Sequence, residues 1–156
     1  MDPFLLDLAL IAPMHIVNDL VFLVMRFRML GALHTHDSLV SKKLFGTHRT
    51  YLGMAVIIVA AAAMYSFLLG EFCFWPGIGI AAGTYLNSFI KRRLKIKDGG
   101  RLPVFDQMDF FIGGVAGLAL CGIYLDNFLL MAALSFMLHV FSNLCAYAVG
   151  IKDVWW

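Results

Sequence analysis

Long apolar segments without a single charged residue constrain the fold of this chain more than any other feature. Four such segments cover residues 51–70, 72–90, 110–125 and 127–151. Each is close to the roughly 17–25 residues that a helix needs to cross a bilayer. A fifth segment, residues 4–25, is apolar but is interrupted by Asp7, Asn18 and Asp19. We therefore expect an all-α integral membrane protein, with about five transmembrane helices in a single domain formed by residues 1–156.

The basic residues are concentrated between these segments. Only 14% of the chain is charged, against about 25% in a typical soluble domain. Yet the stretches 26–50 and 91–103 together contain 11 of the 12 Lys and Arg residues. With five helices, both stretches and the C-terminus fall on the same side of the membrane. The positive-inside rule then predicts a multi-pass protein of the cell membrane, with two basic cytoplasmic loops, a cytoplasmic C-terminus and an external N-terminus.

Small residues recur four positions apart in two of the apolar segments. Gly79 and Gly83 form one such pair, and Gly113 and Gly117 form another. Neither pair follows a strand or precedes a Lys-Ser/Thr sequence, so no phosphate-binding glycine loop is indicated. Glycines at this spacing allow membrane helices to approach closely, and we expect them at a helix–helix contact.

Four polar residues lie inside apolar segments where lipid would surround them. Asn18 and Asp19 are costly in hydrocarbon and are expected to face the interior of the helix bundle or a polar cavity. His15 and His139 could suggest axial haem ligands, but packing or an interhelical hydrogen bond explains isolated histidines equally well. The sequence favours the second interpretation.

The most charged part of the chain, residues 87–111, contains two groups with two physical interpretations each. Asp106 and Asp109 are three residues apart, so on a helix they share one face. They could hold a divalent cation, or they could simply stabilise a helix N-terminus through its dipole. The consecutive cations Lys91, Arg92 and Arg93 could bind phosphates, or they could be side chains that reach the membrane surface from a helix end.

Two motifs in this region resemble a known family. The sequence SFIKRRLKIKD, residues 88–98, followed by PVFDQMD, residues 103–109, is similar to the signature of the CTP-dependent phosphatidate cytidylyltransferases. That signature has Ser-x-x-Lys-Arg-x-x-Lys-x-Lys-Asp, a Pro-Gly-His-Gly-Gly loop and then Asp-Arg-x-Asp. Here the Gly-His-Gly-Gly part is missing and Asp-Gln-x-Asp replaces Asp-Arg-x-Asp. These features, and LFGTHRTYLG at residues 44–53, resemble the archaeal branch of the family, the CDP-archaeol synthases.

The resemblance implies an enzyme that transfers a cytidylyl group from CTP to an isoprenoid ether lipid phosphate in the membrane, with 2,3-bis-O-geranylgeranylglycerol 1-phosphate as the expected lipid. The lipid phosphate is itself the nucleophile, so the protein has to supply positioning and charge neutralisation, with Mg²⁺ as the implied cofactor. No nucleic-acid partner is implied, and the chain is compatible with an oligomer.

Specific residues follow from matching the motifs. The implied catalytic residues are Lys91, Arg92, Lys97, Asp106 and Asp109. The implied metal ligands are Asp106, Asp109 and Asp98. The implied substrate-binding residues are Phe45, Gly46, His48, Arg49, Thr50, Asn87 and Ser88.

Other functions remain as alternatives at this point. A CDP-alcohol phosphotransferase would carry Asp-Gly-x-x-Ala-Arg, which is absent from the sequence. A small transporter is another possibility, although no inverted repeat with matched broken helices is visible. A non-enzymatic scaffold could bind anionic lipid through the two basic loops.

Overall fold

The chain folds as a bundle of helices in the computed structural model, which describes residues 2–29, 39–46, 49–97 and 100–152. Within these ranges there are six helices: α1 Pro3–Met29, α2 Lys42–Phe45, α3 Tyr51–Leu69, α4 Trp75–Arg93, α5 Phe105–Leu120 and α6 Phe128–Ala148. The only extended pairing in the described part is an isolated bridge between Leu39 and Thr50. The prediction of an all-α fold is therefore confirmed.

Three of the described helices are long and apolar enough to cross a membrane. They comprise Pro3–Val24 in α1, all of α3 and all of α6. The apolar segments 72–90 and 110–125 also form helices, but α4 ends in three consecutive cations and α5 has only 16 residues. The expected integral membrane character is thus supported by three candidate spans.

The five longer helices run alternately up and down. The hydroxyl of Tyr65, near the end of α3, donates to the carbonyl of Leu10, near the start of α1, over 2.6 Å. A hydrogen bond between the side chains of Asn87 and Asp106 brings the end of α4 next to the start of α5. The bundle therefore has two distinct ends. One end carries the short α3–α4 and α5–α6 connections, and we call it the short-turn end. The other carries the basic segments, and we call it the charged end.

The tightest helix contact is between α4 and α5, at the glycines. A Cβ atom added to Gly79 would lie 2.0 Å from the carbonyl oxygen of Gly113, and one added to Gly83 would lie 2.1 Å from the carbonyl oxygen of Asp109. Such distances mean that the two backbones touch directly. The predicted role of the glycines at a helix–helix contact is confirmed, and this contact fixes the position of α5 relative to α4.

At the short-turn end, a buried carboxylate joins α1 to the start of α6. Asp7 is 1% exposed. Its carboxylate accepts hydrogen bonds from the backbone amides of Asp126 and Asn127, over 3.2 and 2.8 Å, and from the side-chain amide of Asn127 over 3.0 Å. Asp126 and Asn127 immediately precede α6, so Asp7 ties the start of that helix to α1.

Polar side chains also join α1 to α6 further along. His15 Nε2 and Ser135 Oγ are 2.9 Å apart, and the hydroxyl of Ser142 donates to Asp19 over 2.8 Å. The expectations that Asp19 faces the bundle interior and that His15 makes an interhelical hydrogen bond are confirmed. The ring of His139 lies 5.1 Å from that of Phe110, between centroids, which agrees with the packing interpretation.

Candidate active site

Three parts of the chain meet at the charged end: the segment before α3, the last turns of α4 and the first turns of α5. Thr50 begins α3 by accepting a hydrogen bond from the amide of Gly53 at its hydroxyl, over 3.1 Å. Asn87 and Ser88 lie on the buried face of α4. Asp106 is in the first turn of α5, and Asp109 is three residues further on.

The two aspartates of α5 share one face, as the spacing predicted. The side-chain amide of Asn87 donates to Asp106 Oδ1 over 2.8 Å and to Asp109 Oδ2 over 2.9 Å. Lys91 Nζ lies 2.7 Å from the same Asp106 oxygen, in a mostly buried ion pair. A single Asn nitrogen thus bridges two carboxylates, and only one of them has a lysine partner at ion-pair distance among the described residues.

Both carboxylates also make local hydrogen bonds at the helix start. Asp106 Oδ2 accepts from the amide of Leu102 over 2.8 Å, and Asp109 Oδ1 accepts from the amide of Phe110 over 2.6 Å. The helix-capping interpretation therefore has support from one oxygen of each residue. The other oxygen of each, Asp106 Oδ1 and Asp109 Oδ2, is directed to side chains of α4.

Arg49 brings the loop before α3 to the same place. Its Nε donates to Ser88 Oγ over 2.7 Å, and its guanidinium carbon is 5.5 Å from the centre of the Tyr85 ring. Burial lowers the pKa of Arg49, whereas Asp109, Tyr85 and Asp106 oppose that effect. Since a guanidinium remains protonated in proteins, Arg49 is a half-buried cation close enough to Asp109 and Asp106 for their charges to act on it.

Other residues singled out from the sequence have mainly structural contacts here. Gly46 ends α2 with φ +85°, and Phe45 packs edge-on against Tyr85. The side chain of Arg92 donates to the carbonyl of Lys97 over 3.1 Å, and the Lys97 side chain is exposed. His48 and Asp98 lie outside the described residues.

The structure adds Tyr85 to the site and gives Asn87 a role that its sequence position did not reveal. The hydroxyl of Tyr85 donates to the carbonyl of Thr50 over 2.5 Å, so its ring supports Arg49 while its hydroxyl holds the start of α3. Asn87 is 5% exposed, and its Oδ1 is buried without a hydrogen-bond partner among the described residues. The one sequence feature that could have indicated Tyr85 is its spacing. It lies one helical turn before Ser88 on α4, and Ser88 was already assigned to the site.

The oxygen atoms available at this site are suitable ligands for a hard divalent cation. Asp106 and Asp109 supply carboxylate oxygens, and the Asn87 side chain carries a buried carbonyl oxygen that has no hydrogen-bond partner in the described part of the chain. Among the described residues no group of three or more His, Cys, Asp or Glu side chains is placed to surround a metal ion. Mg²⁺ does not require such a group, because it is commonly held by one or two carboxylates together with substrate phosphates and water.

Comparison with known proteins gives a consistent result. The family model described as CarS-like, CDP-archaeol synthase, matches residues 12–156. A CDP-archaeol synthase of Methanocaldococcus jannaschii is 39% identical over 84 residues, which are 53% of this chain and 48% of that protein. One of Sulfolobus acidocaldarius is 31% identical over 136 residues, 83% of this chain and 76% of that protein.

A third relative, the CDP-archaeol synthase of Aeropyrum pernix, is 36% identical over 106 residues, 67% of this chain and 61% of that protein. The aligned part is thus about half the length of the Methanocaldococcus relative and three quarters that of the Sulfolobus relative. No solved structure is significantly similar to the chain. The family model nevertheless covers nearly the whole sequence, from residue 12 to residue 156, and on that match the chain belongs to the CDP-archaeol synthase family.

Proposed function

We propose that this protein is a membrane enzyme that transfers the cytidylyl group of CTP to an isoprenoid ether lipid phosphate, 2,3-bis-O-geranylgeranylglycerol 1-phosphate, and releases pyrophosphate. Family membership supports the reaction class, since the relatives are named CDP-archaeol synthases. The observation that carries the proposal is the meeting of Arg49, Lys91 and the Asp106–Asp109 pair at one end of the bundle.

The chemistry needs no nucleophile from the protein. An oxygen of the lipid phosphate attacks the α-phosphorus of CTP, the bond from that phosphorus to the bridging oxygen of the β-phosphate breaks, and pyrophosphate leaves with the electron pair. Negative charge therefore grows on the leaving group, and catalysis depends on positioning and on cations around the phosphates.

The carboxylate pair and the neighbouring basic residues have different roles in this reaction. Asp106 and Asp109, with Asn87 beside them, would hold Mg²⁺, which when bound to CTP neutralises phosphate charge. Lys91 and Arg49 flank the pair from two different segments and would contact phosphate oxygens, Arg49 through its planar fork of donors. We assign Arg92 and Lys97 to the same phosphates, and we keep Asp98 as a further candidate ligand of the metal.

The segment before α3 would receive the nucleotide. Phe45, Gly46 and His48 are the candidates for contact with cytidine, since a glycine allows a ligand to approach the backbone closely. Ser88 accepts a hydrogen bond from the Arg49 guanidinium, and Thr50, the next residue along the chain, is held at its carbonyl by Tyr85. Both residues thus contribute to binding by positioning a cation.

The membrane arrangement completes the proposal. We infer five transmembrane helices, α1, α3, α4, α5 and α6, in a single domain of residues 1–156, with the charged end and the C-terminus in the cytoplasm and the N-terminus outside. The alternating direction of these helices supports this arrangement, as does the concentration of Lys and Arg at one end. CTP would then arrive from the cytoplasm, while the lipid remains in the membrane.

A pyrophosphate-release assay on detergent-purified protein tests the function. We expect release that requires CTP, Mg²⁺ and an isoprenoid ether lipid phosphate together, with little release when ATP replaces CTP. The double variant Asp106→Asn/Asp109→Asn provides the matched inactive protein. A scaffold or a transporter predicts no release with any combination of nucleotide and lipid phosphate, and that result would reject the proposal.

A further inference from the structure

An apolar groove runs along the seam between α4 and α5 on the surface of the bundle. Its volume is about 590 Å³, within the usual range of ligand pockets of about 300–1,000 Å³. Its lining includes Gly79, Gly83 and Gly113 at the seam and the larger side chains of Leu86, Phe89 and Ile112. Almost no polar surface lines it, so it does not suit a nucleotide.

The groove exists because the seam is built from small residues. Where the α4 and α5 backbones touch at Gly79 and Gly113, neither glycine has a side chain to fill the space above the contact. Ala82 and Ala116, which also line the groove, are exposed and contribute only methyl groups. The groove is therefore left unfilled by its small residues and is open on its outer side. Its volume suits a single extended chain better than a helix, whose diameter with side chains is about 10–12 Å.

One end of the groove lies at the candidate active site. Gly83, at the seam, packs against the backbone carbonyl of Asp109. Tyr85 and Phe45 line the groove, and the same Tyr85 ring lies beneath the guanidinium of Arg49. The guanidinium carbon of Arg93 lies 4.7 Å from the centre of the Phe89 ring, at the same end. A ligand in the groove would thus have an apolar environment along its chain and cations beside its head.

We propose that this groove holds one hydrocarbon chain of the lipid phosphate substrate, with the phosphate at the Arg49 and Asp106–Asp109 cluster. The inference rests on the proposed function and adds the place at which the lipid is selected. Ala82 is six residues from Ser88, about 9 Å along the helix. Ala82 and Ala116 would therefore contact the part of the chain beyond its first few carbons.

Filling the groove from either wall tests this proposal. Ala82→Leu and Ala116→Leu each add bulk at an exposed position without entering the glycine seam. Ala63→Leu, at an exposed position of α3, is the matched control. Pyrophosphate release would be measured with a long-chain isoprenoid ether lipid phosphate and with a short-chain phosphate monoester whose tail cannot reach Ala82.

We expect Ala82→Leu and Ala116→Leu to raise the KM for the long-chain substrate by about tenfold or more, which corresponds to roughly two methylene groups withdrawn from apolar contact. The KM for CTP and the rates with the short-chain substrate should match those of Ala63→Leu. Long-chain KM values equal to that of the control would overturn the groove assignment, and so would an equal loss with both substrates. If the unmodified protein released no pyrophosphate with any lipid phosphate, the proposed function itself would fail.

Discussion

Aspartates with several hydrogen-bond partners occur at both ends of the bundle, Asp7 fully buried and Asp106 and Asp109 half-buried, and their partners differ in part. At the short-turn end, the donors to Asp7 are two backbone amides and one side-chain amide, all at the start of α6. At the charged end, Asp106 Oδ1 and Asp109 Oδ2 are instead paired with side chains of α4, namely Asn87 and, for Asp106, Lys91. The most buried aspartate, Asp7, lies at the end without neighbouring cations among the described residues, so burial alone does not identify the functional end.

The difference in partners shows what each end can do. Backbone amides at a helix start are fixed by the helix, and a carboxylate that satisfies them stabilises the fold. Side-chain partners such as Lys91 can move to other anions when a ligand arrives. The buried Oδ1 of Asn87 has no hydrogen-bond partner within the residues that the structure describes, and it is therefore a further atom that a ligand could contact. We therefore take the short-turn end as structural and the charged end as the site of chemistry.

Placing the two ends on opposite faces of the membrane gives an all-or-none test of this comparison. In a variant with Cys73, Cys121 and Cys145 replaced by Ala, single substitutions Lys95→Cys and Asp126→Cys would be labelled with a membrane-impermeant maleimide. We expect labelling of Asp126→Cys in intact cells, and of Lys95→Cys only after permeabilisation. Labelling of both from the same side would break the five-helix arrangement, because the two ends would then share a compartment.

Replacing the aspartates at each end by asparagine should show the largest difference between an effect on catalysis and an effect on stability. Asp106→Asn and Asp109→Asn should each lower CTP turnover by about 100-fold or more, since charge neutralisation at reacting phosphates is worth several kcal/mol. Asp7→Asn, the matched change at the short-turn end, should leave turnover per folded molecule within a fewfold of the original. Steady-state kinetics on the folded fraction decides the matter. An active Asp106→Asn/Asp109→Asn double variant would contradict the metal assignment.

The cations of the charged end should show a smaller but still clear effect. Lys91→Ala and Arg49→Ala should each reduce kcat/KM for CTP by about 10- to 150-fold, because a hydrogen bond from a charged group is worth about 1.5–3 kcal/mol. Lys95→Ala changes an exposed lysine of the same basic segment and serves as the control. Equal activity of all three variants would mean that Lys91 and Arg49 only anchor the helix end and the loop.

The sequence predicted the helices and the placement of the glycine pairs at helix–helix contacts because these depend on local patterns. Charge-free apolar segments specify where helices lie, and glycines four residues apart specify a surface that another backbone can approach. The shared face of Asp106 and Asp109 follows from the same helical periodicity. These features need no knowledge of which other part of the chain is nearby.

Long-range pairing was beyond this kind of analysis. The partners of Asp7 are about 120 residues away, and nothing near Asp7 in the sequence identifies them. The same is true of Arg49, whose hydrogen-bond partner Ser88 is 39 residues further along the chain. The family resemblance grouped Arg49, Ser88 and Asn87 as substrate-binding residues, but only the folded chain shows that Asn87 bridges the two carboxylates.

Removing the hydrogen bonds that Asp7 accepts at the short-turn end should lower the stability of the fold without changing catalysis. Asp7→Asn leaves one acceptor oxygen for three donors and introduces a side-chain NH₂ group at a buried site. We expect a loss of about 1–3 kcal/mol, the usual cost of leaving buried polar groups unpaired. Thermal unfolding in detergent measures the loss, with Asp2→Asn at the exposed start of the chain as the control. An unchanged midpoint of thermal unfolding would show that the hydrogen bonds of Asp7 do not stabilise the position of α6.

Thr50 provides the most sensitive test of this comparison. It lies at the charged end, but its side chain accepts a hydrogen bond from a backbone amide, as that of Asp7 does at the short-turn end. Its hydroxyl accepts from the backbone amide of Gly53 at the start of α3, and its carbonyl accepts from Tyr85. If partner type rather than location decides the role of a residue, Thr50→Ala should destabilise the protein by about 0.5–2 kcal/mol, the cost of losing a helix cap. Thr50→Ser keeps the capping oxygen and should restore most of that stability.

The kinetic result for Thr50→Ala then distinguishes positioning from direct binding. Arg49 immediately precedes Thr50 and is also held by Ser88 and Tyr85, so loss of the cap alone should leave the guanidinium close to its place. We expect the KM for CTP to change by less than about threefold, an energy below about 1 kcal/mol. A tenfold or larger rise in Thr50→Ala that Thr50→Ser reverses would instead indicate that the hydroxyl contacts the nucleotide. Partner type in the ligand-free fold would then be an insufficient guide to function at the charged end.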